Sequence, residues 1–202
     1  MNRSIRFVGL AGAVLIGASN LVNAGLITFD GQSSYNVPIA PNPYTSAEGL
    51  PAGVTAAFTG FNATAGQFTS GTHAGAGDIW IASPDLASGG TGLASIVFST
   101  PVEVPSFWNR QVDFGGRVVI SGKLAGVEQF SYVCASSEGV GSAVNNWLEV
   151  TAGAGKTIDT LSFSSGMFSA FDDMTIVPEP TSISLVGIAV SGLCLSRRRR
   201  GN

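Results

Sequence analysis

Positive charge is the scarcest commodity in this chain. Only 11% of its 202 residues are charged, with ten Lys and Arg against thirteen Asp and Glu. Six of the ten basic residues sit at the ends, Arg3 and Arg6 at one and Arg197 to Arg200 at the other. Arg110, Arg117, Lys123 and Lys156 are all that remain between them. From residue 25 to 180, four basic residues against thirteen acidic leave a net charge of −9. Such a surface argues against nucleic acid and anionic membrane surfaces as partners, and suits neutral sugars or cations. Histidine is reduced to His73, in the loop-like run SGTHAGAGD. A Ser-His-Asp triad needs a histidine held by a carboxylate against a marked nucleophile, and the chain has no GxSxG. The same run lacks the Lys-Ser/Thr that follows a phosphate cradle. Of two cysteines, Cys194 is near the C-terminus and Cys134 stands alone in the middle, in VEQFSYVCA. No disulfide then forms within the middle region, and a tetrahedral zinc site lacks ligands. Cys134 reads as a buried thiol.

Helical periodicity is also missing. Instead, short β-rich runs alternate with Gly, Ser, Asn and Pro clusters, the pattern of an all-β antiparallel sandwich or barrel. The pattern predicts strands at 26–30, 54–61, 78–82, 93–99, 103–109, 116–122, 127–135, 146–151, 158–164 and 168–176. In Leu161-Ser162-Phe163-Ser164 the apolar residues share one face and the serines the other. Turns are expected at the Gly pairs 89–90 and 115–116, and at Gly122 and Gly126. Gly31 to Gly53 holds Pro38, Pro41, Pro43 and Pro51. Proline removes ladder donors, so this stretch is expected to be a long surface loop.

The ends read as addresses. Arg3 and Arg6 precede an uncharged run, Phe7 to Gly17, and then Val22-Asn23-Ala24. That run is too short for the ~20 residues of a span, and the order predicts a signal peptide over 1–24. At the other end Val177-Pro178-Glu179-Pro180 precedes an uncharged stretch, Thr181 to Ser196, and then Arg197, Arg198, Arg199 and Arg200. The prolines favour an extended segment open to a protease. The stretch 181–196 is expected to be a transmembrane helix, extended by snorkelling arginines, with the basic tail 197–202 held in the cytoplasm. Residues 25–176 are left as one domain of ample size for a core.

A Pro-Glu-Pro motif, an apolar helix and an arginine cluster, in that order, resemble the PEP-CTERM sorting signal of Gram-negative bacteria. The resemblance covers Val177 to Asn202. It implies signal peptidase and an exosortase, a membrane cysteine protease, as processing partners. It also implies an inner-membrane anchor before processing, then a place at the cell surface or in the extracellular matrix, with a link to exopolysaccharide and biofilm. It is an address only.

A second resemblance rests on three segments: a first strand ending in Phe29-Asp30, the unit VFSTPVEVPSFW (Val97 to Trp108), and the closing IDTLSFSSGMFSAFDDMTIV (Ile158 to Val177). Together they look like the jelly-roll sandwiches common in such proteins, which resemble galactose-binding and carbohydrate-binding modules. It implies that the first and last strands pair, and that Asp30, Asp172 and Asp173 are candidates for a structural calcium. Calcium wants six to eight oxygens, so backbone carbonyls would have to complete the shell. No other cofactor is implied.

The aromatics carry the functional expectation. Trp108, followed by Asn109, Arg110 and Gln111, has the composition of a sugar platform, as does Trp147 after Asn145 and Asn146. Tyr35 and Tyr44 in the long loop could join them. Phe107 and Trp108 are adjacent, so in a strand they face opposite sides and one at most enters a two-layer core. Glu103, Asp113, Glu128 and Glu149 could in principle form a glycosidase pair, but nothing in the sequence brings two together. Three readings stay open: a non-catalytic polysaccharide-binding surface protein, a secreted glycoside hydrolase, and a structural or adhesive subunit joined through sheet edges.

Overall fold

Strand formation here follows from two-residue alternation. In the strand Thr157–Ser165, Ile158, Leu161, Phe163 and Ser165 are buried while Ser162 and Ser164 are partly exposed. Gly92–Glu103 alternates likewise, burying Ala94, Ile96 and Phe98. The computed structural model describes residues 23–32, 35–64, 79–81, 92–111, 117–135, 147–165 and 169–179. The expected signal peptide and transmembrane helix lie outside these, as do His73 and the Gly pairs at 89–90 and 115–116. Among the described residues, no helix is long and apolar enough to cross a membrane.

Thirteen strands are described: β1 (Gly25–Ile27), β2 (Tyr35–Pro38), β3 (Ala56–Thr59), β4 (Phe61–Thr64), β5 (Ile79–Ile81), β6 (Gly92–Glu103), β7 (Phe107–Gln111), β8 (Arg117–Leu124), β9 (Val127–Ala135), β10 (Trp147–Val150), β11 (Thr157–Ser165), β12 (Ser169–Asp172) and β13 (Met174–Pro178). A 3-10 turn at Ser46–Glu48 is the one helical element among them. The fold is thus nearly all-β, and every pairing described is antiparallel. One sheet runs β1-β13-β6-β11-β8-β9, with β3 also on β6; the other runs β10-β7-β12-β5-β4-β2. The first and last strands do pair, Gly25 opposite Ile176 and Ile27 opposite Met174.

The two sheets meet through rings. Phe163 of the first sheet lies 5.3 Å from Phe61, 6.1 Å from Phe107 and 4.7 Å from Phe171, all three in the second sheet. Tilted and edge-on contacts at these separations suit the ring quadrupole. A single apolar cluster runs from these rings to Ile27, Tyr44 and Ile176. The opposite face of the first sheet carries a row of hydroxyls, with Leu93 and Val97 exposed beside it. Thr59, Ser95, Ser162, Ser121 and Ser131 stand in register across five strands, and all are at least partly exposed.

Five expectations need correction. The strand expected at 103–109 is the end of β6 and the start of β7, which lie in different sheets. The strand expected at 54–61 is two strands, β3 and β4, in different sheets, divided at Gly60 with φ +77°. The strand expected at 168–176 divides at Asp173, φ +43°, into β12 and β13, again in different sheets. Such corners carry strands from one layer to the other. Gly122 is no turn: it sits inside β8, where Phe130 packs so closely that a Cβ would strike the ring. Gly126 does turn, with Ala125, since both have positive φ between β8 and β9, as in a type I′ hairpin. Finally, residues 31–53 are no bare loop, because Ile39, Tyr44 and Leu50 are buried and need a structure around them.

The last strand also reaches further than the expected domain end at 176. Val177 pairs with Glu103 and Pro178 with Val102, and the Thr157 hydroxyl donates to Glu179. The first proline of the Pro-Glu-Pro motif, Pro178, is therefore in strand. A proline at an edge or strand end costs little ladder bonding.

Candidate functional site

Two regions gather polar and aromatic side chains. The first is built by the proline-rich segment. After β1 the chain turns, Phe29 taking φ +55° and burying its ring, while the Gln32 amide donates to the Phe29 carbonyl at 2.9 Å. Proline-41 and proline-43 leave few backbone donors, so side chains supply the missing bonds. The Gln32 Nε2 donates to the Ala40 carbonyl at 2.6 Å and its Oε1 accepts from the Ala40 amide at 3.3 Å. Asn42 does the same against Phe58, donating at 2.7 Å and accepting at 3.0 Å. Tyr44 then exchanges backbone hydrogen bonds with Ala56.

A capping box follows. Thr45 Oγ1 accepts from the Ala47 amide, and Glu48 Oε2 accepts from the Thr45 amide at 2.7 Å and hydroxyl at 2.9 Å. Gly49 closes the turn at φ +95°. A Cβ there would run into the Leu26 carbonyl oxygen, so the glycine lets the turn dock on β1. Gly49→Ala combines left-handed strain with this collision. It should cost about 3 kcal/mol, read as a lower urea midpoint with unchanged slope. A cost under 0.5 kcal/mol would contradict the docking role.

The space between β1, the 30–32 turn, Pro41 and the 3-10 turn is a pocket of about 460 Å³. Thr28, Asp30, Gln32, Tyr44 and Glu48 supply its polar lining, and among the described residues that lining contains no basic side chain. Tyr44 is 2% exposed, and its ring stacks among Phe29 and Phe58. Its hydroxyl accepts from Gln32 Nε2 at 2.7 Å. Burial pushes the phenol from 10.0 up to about 12; the Gln32 hydrogen bond lowers it somewhat and the Glu48 charge raises it. Above pH 10 the unfolded chain releases this proton while the native state keeps it. Stability is therefore intact below pH 10 and falls, by on the order of 1–2 kcal/mol, as pH rises toward 12. Absorbance titration at 295 nm should show Tyr44 ionising later than an ordinary tyrosine, and a normal Tyr44 midpoint near 10 would refute its burial.

The second region is the outward face of the six-stranded sheet. Register places Trp147, Arg110 and Ala170 in one row and Glu149, Trp108 and Asp172 in the next. The rows between them, Leu148-Asn109-Phe171 and Val150-Phe107, turn toward the apolar cluster. Paired residues share a face and neighbours alternate, so Trp108 and Trp147 both point away from the core. Phe107 takes the core, fully buried, and Trp108 is half-buried. Glu149 is exposed, but Trp147, Arg110 and Asp172 are not. Arg110 and Asp172 are diagonal neighbours on adjacent strands, close enough for long side chains of opposite charge to meet.

The expected site residues are thus divided. Trp108 is half-buried on the outward row, whereas Trp147 is 4% exposed and Tyr44 is a core ring, so neither of those two offers solvent a stacking face. Tyr35 begins β2, and its side chain lies outside the described residues, as does that of Cys134 in β9. Asp30 is exposed at the pocket rim. Asp172 is buried, and its Oδ1 accepts from the Asp173 amide at 2.8 Å. Among the described residues no three acids, histidines or cysteines come together as a metal group. Of the sorting motif, Val177, Pro178 and Glu179 end the sheet, and Pro180 and Arg197 to Arg200 lie outside the described residues.

Sequence reasoning missed Gln32 and Glu48. The spacing Thr45-x-x-Glu48 was the available signal for the second, since it marks a helical start. Nothing local marked Gln32, whose partners lie eight and twelve residues away.

Neither protein-family models nor curated protein sequences match this chain. Two solved structures are similar to it at low identity. One is TmCBM61 in complex with beta-1,4-galactotriose, at 12% identity and TM-score 0.35, covering 63% of this chain and 89% of that one. The other is the CBM22-1–GH10 part of the Clostridium thermocellum endo-1,4-beta-D-xylanase 10B complexed with xylohexaose, at 14% identity and TM-score 0.36, covering 78% of this chain and 28% of that one.

Proposed function

We propose that this protein is an exported, non-catalytic component of the cell surface or extracellular matrix that holds polysaccharide on the outward face of its six-stranded sheet. The observation that carries this reading is the place of Trp108. Its indole is half-buried on an outward row, between the exposed Glu149 and the buried Asp172. A flat apolar ring beside the Glu149 carboxylate fits the two faces of a sugar, whose C–H side stacks and whose hydroxyls donate. The strongly acidic middle region favours a neutral chain over an anionic one.

The pair Glu149 and Asp172 lies two strands apart, or roughly 10 Å between backbones. Asp172 is 1% exposed, which supports holding rather than hydrolysis, because a general acid must reach its substrate. The address rests on residues 1–24 and 177–202, read as a signal peptide and a PEP-CTERM sorting signal, with signal peptidase and exosortase as processing enzymes.

Affinity electrophoresis of the full chain tests the binding, using gels cast with neutral β-linked glucans, galactans, xylans and the source organism's exopolysaccharide. Retardation in at least one gel, without release of reducing sugar, is expected. Uniform mobility in all of them would sink the sugar reading, and sugar release would favour a hydrolase. Intact mass of the protein from the host's membrane and extracellular fractions checks the address. Retention of Arg197 to Arg200 in all material would exclude processing.

A further inference from the structure

We infer that the pocket beside the Ser46–Glu48 turn is a second site, which takes a single neutral sugar unit or comparable polyol through the Tyr44 hydroxyl, Asp30 and Glu48. It takes its ligand class from the polysaccharide reading and its place from the pocket alone.

The argument begins with Tyr44. Tyr44 is 2% exposed and lines the pocket. One lone pair of its hydroxyl receives Gln32 Nε2 at 2.7 Å, but among the described residues the hydroxyl hydrogen has no acceptor. A buried donor left unmatched costs free energy unless a ligand or water takes it. Gln32 meets the hydroxyl with Nε2, which donates, and so does not take the hydrogen at this contact. The hydrogen therefore needs an acceptor within the pocket. The raised ionisation of the phenol keeps it a donor throughout the physiological range.

The walls ask for the opposite. Asp30 is exposed at the rim, and its backbone amide donates to Thr28 Oγ1 while its carboxylate makes no hydrogen bond among the described residues. Glu48 spends Oε2 on the capping box and keeps Oε1 free of any described partner. The ligand must then bring hydrogens for two carboxylates and a lone pair for Tyr44. A metal ion brings no lone pair, an ammonium group brings only hydrogens, and an anion meets two negative charges with no basic residue in the lining among the described residues. Vicinal hydroxyls donate and accept at once. The volume, about 460 Å³, lies within the range of roughly 300–1,000 Å³ usual for small-molecule pockets.

Saturation-transfer NMR of the full chain against a panel of neutral hexoses and pentoses tests this, with calcium and tetramethylammonium as the cationic probes. At least one neutral sugar should bind with millimolar affinity. Tyr44→Phe keeps the ring and removes the donor, and Asp30→Asn and Glu48→Gln remove an acceptor charge. Glu48→Gln retains a capping residue, and Asp30→Asn changes an exposed side chain, so those two decide the matter if Tyr44→Phe unfolds. Each should weaken the sugar at least fivefold. Binding of cations only, binding of no sugar, or sugar affinity indifferent to Asp30→Asn and Glu48→Gln would overturn the inference. If polysaccharide retention persists while no monosaccharide binds, the pocket falls and the sheet-face function stands. If both fail, the sugar reading fails as a whole.

Discussion

Phe171→Ala should be among the most damaging single changes, costing about 3–5 kcal/mol in equilibrium unfolding. Phe171 is fully buried in β12, and its ring lies 4.7 Å from Phe163, 5.9 Å from Phe61 and 6.3 Å from Phe107. These four rings join both sheets, so truncating one opens a void where neighbouring strands are pinned by ladder hydrogen bonds and cannot collapse inward. For a domain of this size the loss corresponds to a melting point lower by about 10 °C. A loss below about 1 kcal/mol would mean that the sheets repack freely around this cluster, contrary to close packing of the layer. Phe171→Leu keeps much of the volume and should cost about half as much, which separates cavity formation from a general intolerance of change.

Trp108→Ala should abolish most polysaccharide retention, by at least tenfold, with a much smaller effect on stability. The indole is only half-buried and points away from the core, so its removal takes little from the apolar cluster. Tenfold corresponds to about 1.4 kcal/mol, modest for a central aromatic contact. Trp108→Phe should retain part of the binding, since a smaller ring still stacks. Its neighbour in sequence provides the internal contrast: Phe107→Ala should unfold the protein before it informs on binding, because Phe107 is fully buried against Phe163. Unchanged retention by Trp108→Ala in a folded protein would move the polysaccharide site off this face.

How much of this could be read in the sequence depended on whether the deciding contacts were local. Two-residue alternation placed β9 at its observed bounds, 127–135, and located the cores of β6, β8 and β11 within a few residues. It separated Phe107 from Trp108 correctly, because adjacent strand residues must face opposite sides. It did not detect the corners at Gly60 and Asp173, where one β-rich run passes from one sheet to the other. The long proline-rich segment misled for a related reason. Its order comes from Gln32 and Asn42, whose side chains stand in for ladder partners at Ala40 and Phe58.

The sequence by itself determined the class of fold, the acidic character of the domain and the lack of a marked catalytic set, since composition and period are local properties. It also carried the expectation of an exported chain, in residues whose order along the chain is the whole signal. Only the tertiary structure decided which aromatic is a platform and which is core. Tyr44 and Trp147 look the same as Trp108 in a list of exposed-seeming aromatics, yet both are buried. The pocket was likewise a tertiary decision. Asp30, Tyr44 and Glu48 meet there because glycines at 25 and 49 let β1 and the turn approach, a closeness that no spacing in the sequence expresses.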